Sequence, residues 1–280
     1  MTTQRSAASP SRASASPSWA SMAMDRIVVD LKDFTRSREQ MIFIFAFPML
    51  LLAMFGAIFG SETLGDTGVT FSQYLMAGMV ASGILNTGFQ SLAISIAIDR
   101  DEDILKRIHA TPLPATAFFV GKIVHLVLVS IVQIAILIAM GILLYDVQVP
   151  SGEQWVTFAW VFLLGTAAAT AIGIATSSLL RNAKAASAIL TPVVLFLQFT
   201  SGVFFVFTQL PSWLQSVAEV FPLKWLAQGM RSVFLPETFE AQEATGSWQH
   251  GMTAIMLTAW FVAALVVAVR TFRWQRPEDR

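Results

Sequence analysis

Residues 99–114 read DRDEDILKRIHATPLP, the densest charge cluster in a chain built mainly of long apolar runs. Asp99, Asp101, Glu102 and Asp103 come first, and Lys106, Arg107 and His109 follow. That order suits a helix, whose N-terminus carries partial positive charge and whose C-terminus partial negative charge. Glu102 with Lys106, and Asp103 with Arg107, stand four apart with the acid first, the better orientation for pairing on one helix face. Ile104, Leu105 and Ile108 make a small apolar face, and Pro112 and Pro114 stop the helix. The spacing alone fits two readings: a solvated loop between membrane spans, or a short rigid helix, Asp99 to Ile108, gripped by something outside the membrane.

Working outward, the flanking runs decide the class. The chain has 280 residues, 55% hydrophobic and 13% charged, where a soluble protein carries about a quarter charged. Several runs reach the roughly 20 residues a helix needs to cross a bilayer. The expected fold is an all-α polytopic membrane protein with six transmembrane helices, at about 41–60, 71–98, 117–145, 155–180, 185–207 and 252–269. Residues 1–18, rich in Ser, Ala and Pro, read as a disordered tail, with a transit peptide as the alternative. Residues 271–280 read as a cytoplasmic tail.

Lys and Arg set the orientation. Six precede the first span (Arg5, Arg12, Arg26, Lys32, Arg36, Arg38), and Arg100, Lys106, Arg107 and Lys122 lie at the second connection. Arg181 and Lys184 lie at the fourth, and Arg270, Arg273, Arg276 and Arg280 at the end. The first and third connections have none, and the fifth has Lys224 and Arg231. The positive-inside rule therefore places both termini, and residues 99–114, in the cytoplasm.

Between Trp19 and Phe34, apolar residues recur at helical spacing among charges. Residues 19–40 thus read as an amphipathic helix at the membrane interface, or one packed on a soluble partner. Inside the spans, Asn86, Gln90, His125, Gln133 and Gln198 face other helices. They make either packing hydrogen bonds or a substrate path. Gly165, Ala169, Gly173 and Ser177 give the fourth span a small residue every four positions. Pro48 and Pro192 are expected to kink their spans. The fifth connection, QLPSWLQSVAEVFPLKWLAQGMRSVF, is too apolar for a loose loop and too interrupted to span. It reads as two short external re-entrant helices begun by Pro211 and Pro222, anchored by Trp213 and Trp225, and including Arg231.

No catalytic residue, cofactor site or metal site is expected in the chain, and no nucleic-acid partner. Gly121-Lys122 lacks the first glycine and the Ser or Thr of a phosphate loop. The three histidines have no metal-ligand spacing, and with no cysteine there is no thiolate chemistry. No Gly-x-Ser-x-Gly surrounds Ser82 or Ser201, against an intramembrane serine protease.

Three stretches, RSREQMIFIFAFPMLLLAMFGAIFG, DRDEDILKRIHATPLPATAFFVGKIV and SGVFFVFTQLPSWLQSVAEVFPLKWLAQGMRSVF, resemble in order the membrane subunits of ABC-2 type exporters. The branch resembled includes the daunorubicin-resistance permeases. Asp103 and Ile104 depart from the family's usual Gly-Thr, and Val206 from a frequent Pro. The resemblance implies a pathway formed by two permeases, homodimeric or heterodimeric, in the plasma membrane. It also implies two copies of a cytoplasmic ABC ATPase carrying ATP and Mg, so this chain would be no enzyme. Asp99, Arg100, Asp101, Glu102, Ile104, Leu105, Lys106, Arg107 and Ile108 would couple that ATPase to the spans. The implied cargo is a lipophilic drug-like or lipid molecule, as in multidrug efflux or antibiotic resistance. A polysaccharide or lipid-linked glycan, an ATP-independent channel and a proton-coupled carrier are the other readings. The spans lack the buried Asp, Glu or Arg that ion-coupled carriers use.

Overall fold

The computed structural model describes residues 18–60, 62–109, 114–180 and 182–271, and only the backbone of Gln40, His109 and Ala115. Of the expected tails 1–18 and 271–280, all but Ser18 and Thr271 lie outside the described residues, as does the helix stop at Pro112. Helix α1 (Trp19–Arg36) starts on Ser18, whose side chain accepts from the Ser21 amide. Ser18 therefore belongs to the helix start, because it satisfies one of the first-turn N–H groups.

Helix α2 (Arg38–Phe59) contains Pro48. Helices α3 (Phe71–Leu85) and α4 (Leu92–Asp101) form one rod, joined by a π turn at Asn86–Ser91. Helix α5 (Ile104–His109) follows, then α6 (Ala115–Tyr145), α7 (Gly152–Ser177) and α8 (Ala183–Thr200). Two shorter helices, α9 (Ser212–Glu219) and α10 (Pro222–Phe234), precede α11 (His250–Thr271). Among the described residues the only extended pairing is a single bridge between Thr63 and Thr70.

Six of these helical stretches are long and apolar enough to cross a membrane: α2 from Met41, the α3–α4 rod, α6 from Thr116, α7, α8 and α11. The protein is an all-α, multi-pass membrane protein. Local chemistry starts several of the spans. Thr70 and Gln73 form a reciprocal capping box at α3, and Ser151 and Gln154 do so at α7. Asn182 accepts from the Ala185 amide at α8. Each satisfies N–H groups that the first turn leaves open.

The spans do not share the interior equally. The rod, α7 and α10 supply most of the core, through residues such as Leu75, Met76 and Ile84, Val161 and Phe162, and Leu226 and Met230. Exposed Ile42, Phe43, Leu50 and Ile58 leave α2 open along much of its length. Lipid covers such a surface as readily as protein does, so its exposure carries no hydrophobic cost.

The small-residue face of α7 is where two backbones meet. A Cβ on Gly173 would sit 2.6 Å from the Gly88 carbonyl, and one on Gly88 would sit 2.7 Å from the Ala169 side chain. The π turn therefore packs directly on α7. Gly121 does the same for α1, since a Cβ there would lie 2.7 Å from Cγ of Arg26.

Candidate coupling segment and inner cavity

The end of the α3–α4 rod is a junction of four elements. Asp99 is buried, with Lys122 Nζ of α6 at 2.7 Å and Arg26 of α1 at 3.5 Å. Arg26 also pairs with Asp30 at 2.7 Å, and Lys122 donates to Ser95 Oγ at 2.6 Å. Both cations lie over the Phe118 ring, at 4.9 and 5.7 Å from its centre. Burial pushes the Asp30 carboxyl above its ordinary value, against the opposing pull of Lys122 and Arg26. This network fastens α1 to the spans.

The next two residues reach the other way. Arg100 donates to the carbonyls of Ser177 (2.7 Å) and Leu180 (3.4 Å), just where α7 ends. Asp101 accepts from the Ala183 amide (2.8 Å), at the first residue of α8. A cation at a helix C-terminus and an anion at a helix N-terminus are both stabilised by the helix dipole. Adjacent side chains thus cap the end of one span and the start of the next.

Two expectations for residues 99–108 are corrected here. The stretch is not one helix, because α4 ends at Asp101 and Asp103 takes a left-handed backbone, φ +56°. Asp99, Arg100 and Asp101 end the second span, Glu102 and Asp103 form the break, and only Ile104, Leu105, Lys106, Arg107 and Ile108 enter α5 with His109. Lys106 reaches Asp103 at 3.2 Å, three residues away. Nor does the apolar face point outward. Leu105 is 0% exposed, packed with Leu92, Ile96, Phe118 and Leu126, and Ile108 lies against the same cluster. The chain's own spans bury this face, and Glu102 and Arg107 are exposed.

A cavity of about 750 Å³ opens between α1, α2, the rod and α6. Asn86, Gln90, His125 and Gln133 all line it; Gln198 does not. Gln198 instead donates to Ser82 Oγ (2.6 Å) and Asn86 Oδ1 (3.2 Å), tying α8 to the rod. Gln90 donates to Thr191 (3.0 Å), and Gln133 to the Ile44 carbonyl (3.0 Å). Thr87 donates to Gln133 at 3.4 Å. Four of the five polar residues therefore share one space, and the fifth is a clamp between spans.

On α10 every residue from Pro222 to Phe234 is buried. This corrects the expectation for Trp225, which packs inside with its indole donating to the Glu219 carbonyl at 2.6 Å. The apolar face of α10 meets α3, α7 and α11, leaving Trp225 no lipid to anchor in. Trp213, on α9, is 67% exposed. Pro222 occupies the first turn of α10, where a missing N–H costs nothing. Arg231 is held by both oxygens of Glu243 (2.5 and 3.0 Å), donates to the Gly202 carbonyl and lies 5.0 Å over Tyr74. Burial alone would lower the Arg231 pKa, but the Glu243 carboxylate overrides it and the net shift is upward. Lys224 donates to Gln228 (2.6 Å) and stands 3.6 Å over Trp225. Burial lowers its pKa to about 8.

Comparison with known proteins fits this arrangement of helices. The ABC-2 type transporter family model matches residues 27–235. The chain belongs to the ABC-2 type transporter family. It is 24% identical over 194 residues to the putative transport permease ycf38 of Porphyra purpurea, covering 67% of this chain and 65% of that one. It is 22% identical over 197 residues to the inner membrane transport permease YadH of Escherichia coli, covering 67% and 74%. The probable multidrug ABC transporter permease YbhR of Escherichia coli is 24% identical over 149 residues, covering 52% and 39%. The chain thus spans just under two thirds of the length of the ycf38 relative.

These relatives carry the names of transport permeases. The site includes residues that the sequence reading passed over. Arg26 and Asp30 sit four apart on α1, and Asp30 falls on the buried side with Ala23 and Phe34. An acid in line with an apolar stripe, four residues after an arginine, was the available signal. Thr87 and Thr191 left none, since a threonine inside a span commonly bonds its own helix.

Proposed function

We propose that this chain is the membrane-spanning subunit of an ATP-driven exporter. It pairs with a second permease, identical or homologous, and two copies of a cytoplasmic ABC ATPase hydrolyse ATP with Mg. Both termini and α5 are cytoplasmic, the membrane is the cell's inner (plasma) membrane, and α9 and α10 lie on the outer side. The cargo is a lipophilic drug-like or lipid molecule taken from the cytoplasm or inner leaflet.

One observation carries the reading: a short helix outside the spans sits on the rod and α6, next to the rod end that holds α7 and α8. Leu105 seats α5 on the rod and α6, while Arg100 and Asp101, one turn away, hold the end of α7 and the start of α8. A push on Glu102 or Arg107 moves all these helix ends together. The buried pairing of Arg231 with Glu243 supports the orientation too, since the guanidinium is neutralised inside the fold.

The test is reconstitution. The chain alone in liposomes should show no ATPase activity, and transport should require a partner ATPase with an intact phosphate-loop lysine. Transport driven by a proton gradient without ATP would reject the reading. Single cysteines at Thr67 and Gly152 of this Cys-free chain should label from outside intact cells, and one at Ala183 should not.

A further inference from the structure

We propose that the cavity between α1, α2, the rod and α6 is a binding site for a drug-sized lipophilic cation, complete within one permease subunit. The inference rests on the exporter reading and names the substrate class.

The charges around the cavity do not cancel. Four carboxylates line it, Asp30, Asp33, Asp99 and Glu102, against two basic side chains, Arg26 and Lys122. Both cations are committed, Arg26 to Asp30 and Lys122 to Asp99, each at 2.7 Å. Asp33 and Glu102 remain. They come from different elements, are solvent-exposed, and among the described residues have no ion-pair partner. The rim therefore presents two unpaired negative charges and no free positive one. A cation is drawn in and an anion repelled.

The walls set the rest of the ligand. Phe34, Phe43, Phe47 and Leu126 line the space, and Phe43 and Phe47, stacked 5.1 Å apart, stand on the exposed side of α2. That side opens towards lipid, where an amphiphilic ion concentrates. Cation–π attraction adds to the apolar contact. Further in, His125 is only 8% exposed and its Nδ1 has no hydrogen-bond partner. A buried ring nitrogen left open in a cavity wall is a waiting contact for a polar group of the ligand. At about 750 Å³ the space takes one drug-sized molecule. It runs along the rod from Asn86 to Glu102, about 20 Å, with carboxylates at one end and amides at the other.

The experiment uses two ions of the same size and shape. The purified full chain in phosphatidylcholine nanodiscs is titrated with radiolabelled tetraphenylphosphonium, with empty nanodiscs as background. Saturable binding is expected, with no competition from tetraphenylborate, and the Asp33→Asn, Glu102→Gln double variant should bind about tenfold more weakly or worse. Both positions are exposed, so the variant folds. Gln90→Cys, inside the cavity, should be protected from a maleimide by tetraphenylphosphonium. Equal competition by tetraphenylborate, undiminished binding to the double variant or an unprotected thiol would each overturn the proposal. The assay contains no ATPase. A chain that fails here yet transports with its ATPase keeps the exporter reading and loses the site, and the converse holds as well.

Discussion

Arg100 donates to the carbonyl of Ser177 at 2.7 Å, across 77 positions of sequence, and so joins the end of the second span to the end of the fourth. Both residues are buried. The bond closes α7 where its last carbonyls have no partner within the helix. A short element that must move spans together needs joints of this kind.

Arg100→Ala leaves the Ser177 and Leu180 carbonyls open in a buried place. The expected cost is about 1–3 kcal/mol, read as a lowered unfolding midpoint in detergent, and ATP-driven transport should fall more than ATP hydrolysis does. Arg100→Lys restores the charge without the planar fork and should recover only part of either. Normal coupling in Arg100→Ala would remove the joint from the mechanism.

Leu105 and its neighbours separate folding from docking. Leu105→Asp puts a carboxylate into a closed apolar cluster and should cut the amount of protein in the membrane, because an unpaired charge there is expensive. The Glu102→Ala, Arg107→Ala double variant changes only exposed side chains. It should reach the membrane in normal amount, keep its unfolding midpoint and lose its ATPase on co-purification. If the double variant retains the ATPase, the docking surface lies elsewhere.

Lys224 gives a pH dependence whose sign is fixed. Its folded pKa, about 8, lies below the ordinary lysine value of 10.5. Between these values the unfolded chain binds the proton more tightly, so stability rises with pH. Below pH 8 the fold bears the full cost of the buried charge, on the order of 3 kcal/mol. Lys224→Met should therefore unfold at a higher temperature than the parent at pH 7, with the gap shrinking from pH 8 to 10.5. A gap independent of pH would show that Lys224 is not the titrating group.

How much of this was legible follows from what each signal measures. Hydropathy sees the length of an apolar run, so the six spans were readable without a structure. It does not see what covers a surface. The apolar face of residues 104–108 has the same spacing whether it meets a partner or its own spans, and only the fold shows Leu105 turned inward. Trp225 was misread for a related reason: an amphipathic helix beside a membrane and one buried among three spans share a pattern. Asn86, Gln90, His125 and Gln133 were picked out because polar groups are costly in lipid. That they share one cavity, with Gln198 outside it, depends on how the rod is wound.

That winding has a consequence for sequence length. The π turn at Asn86–Ser91 is a local excess of chain within an otherwise α-helical rod. Removing one residue there would restore the α winding with the phase kept. Rewinding the same residues as α, with none removed, would instead rotate everything beyond them by about 100°. Asp99 would then turn away from Lys122, Arg100 from Ser177 and Asp101 from Ala183, although none of the three had been altered. The phase of the rod thus rests on how one surplus residue is wound, some three turns from the contacts it sets.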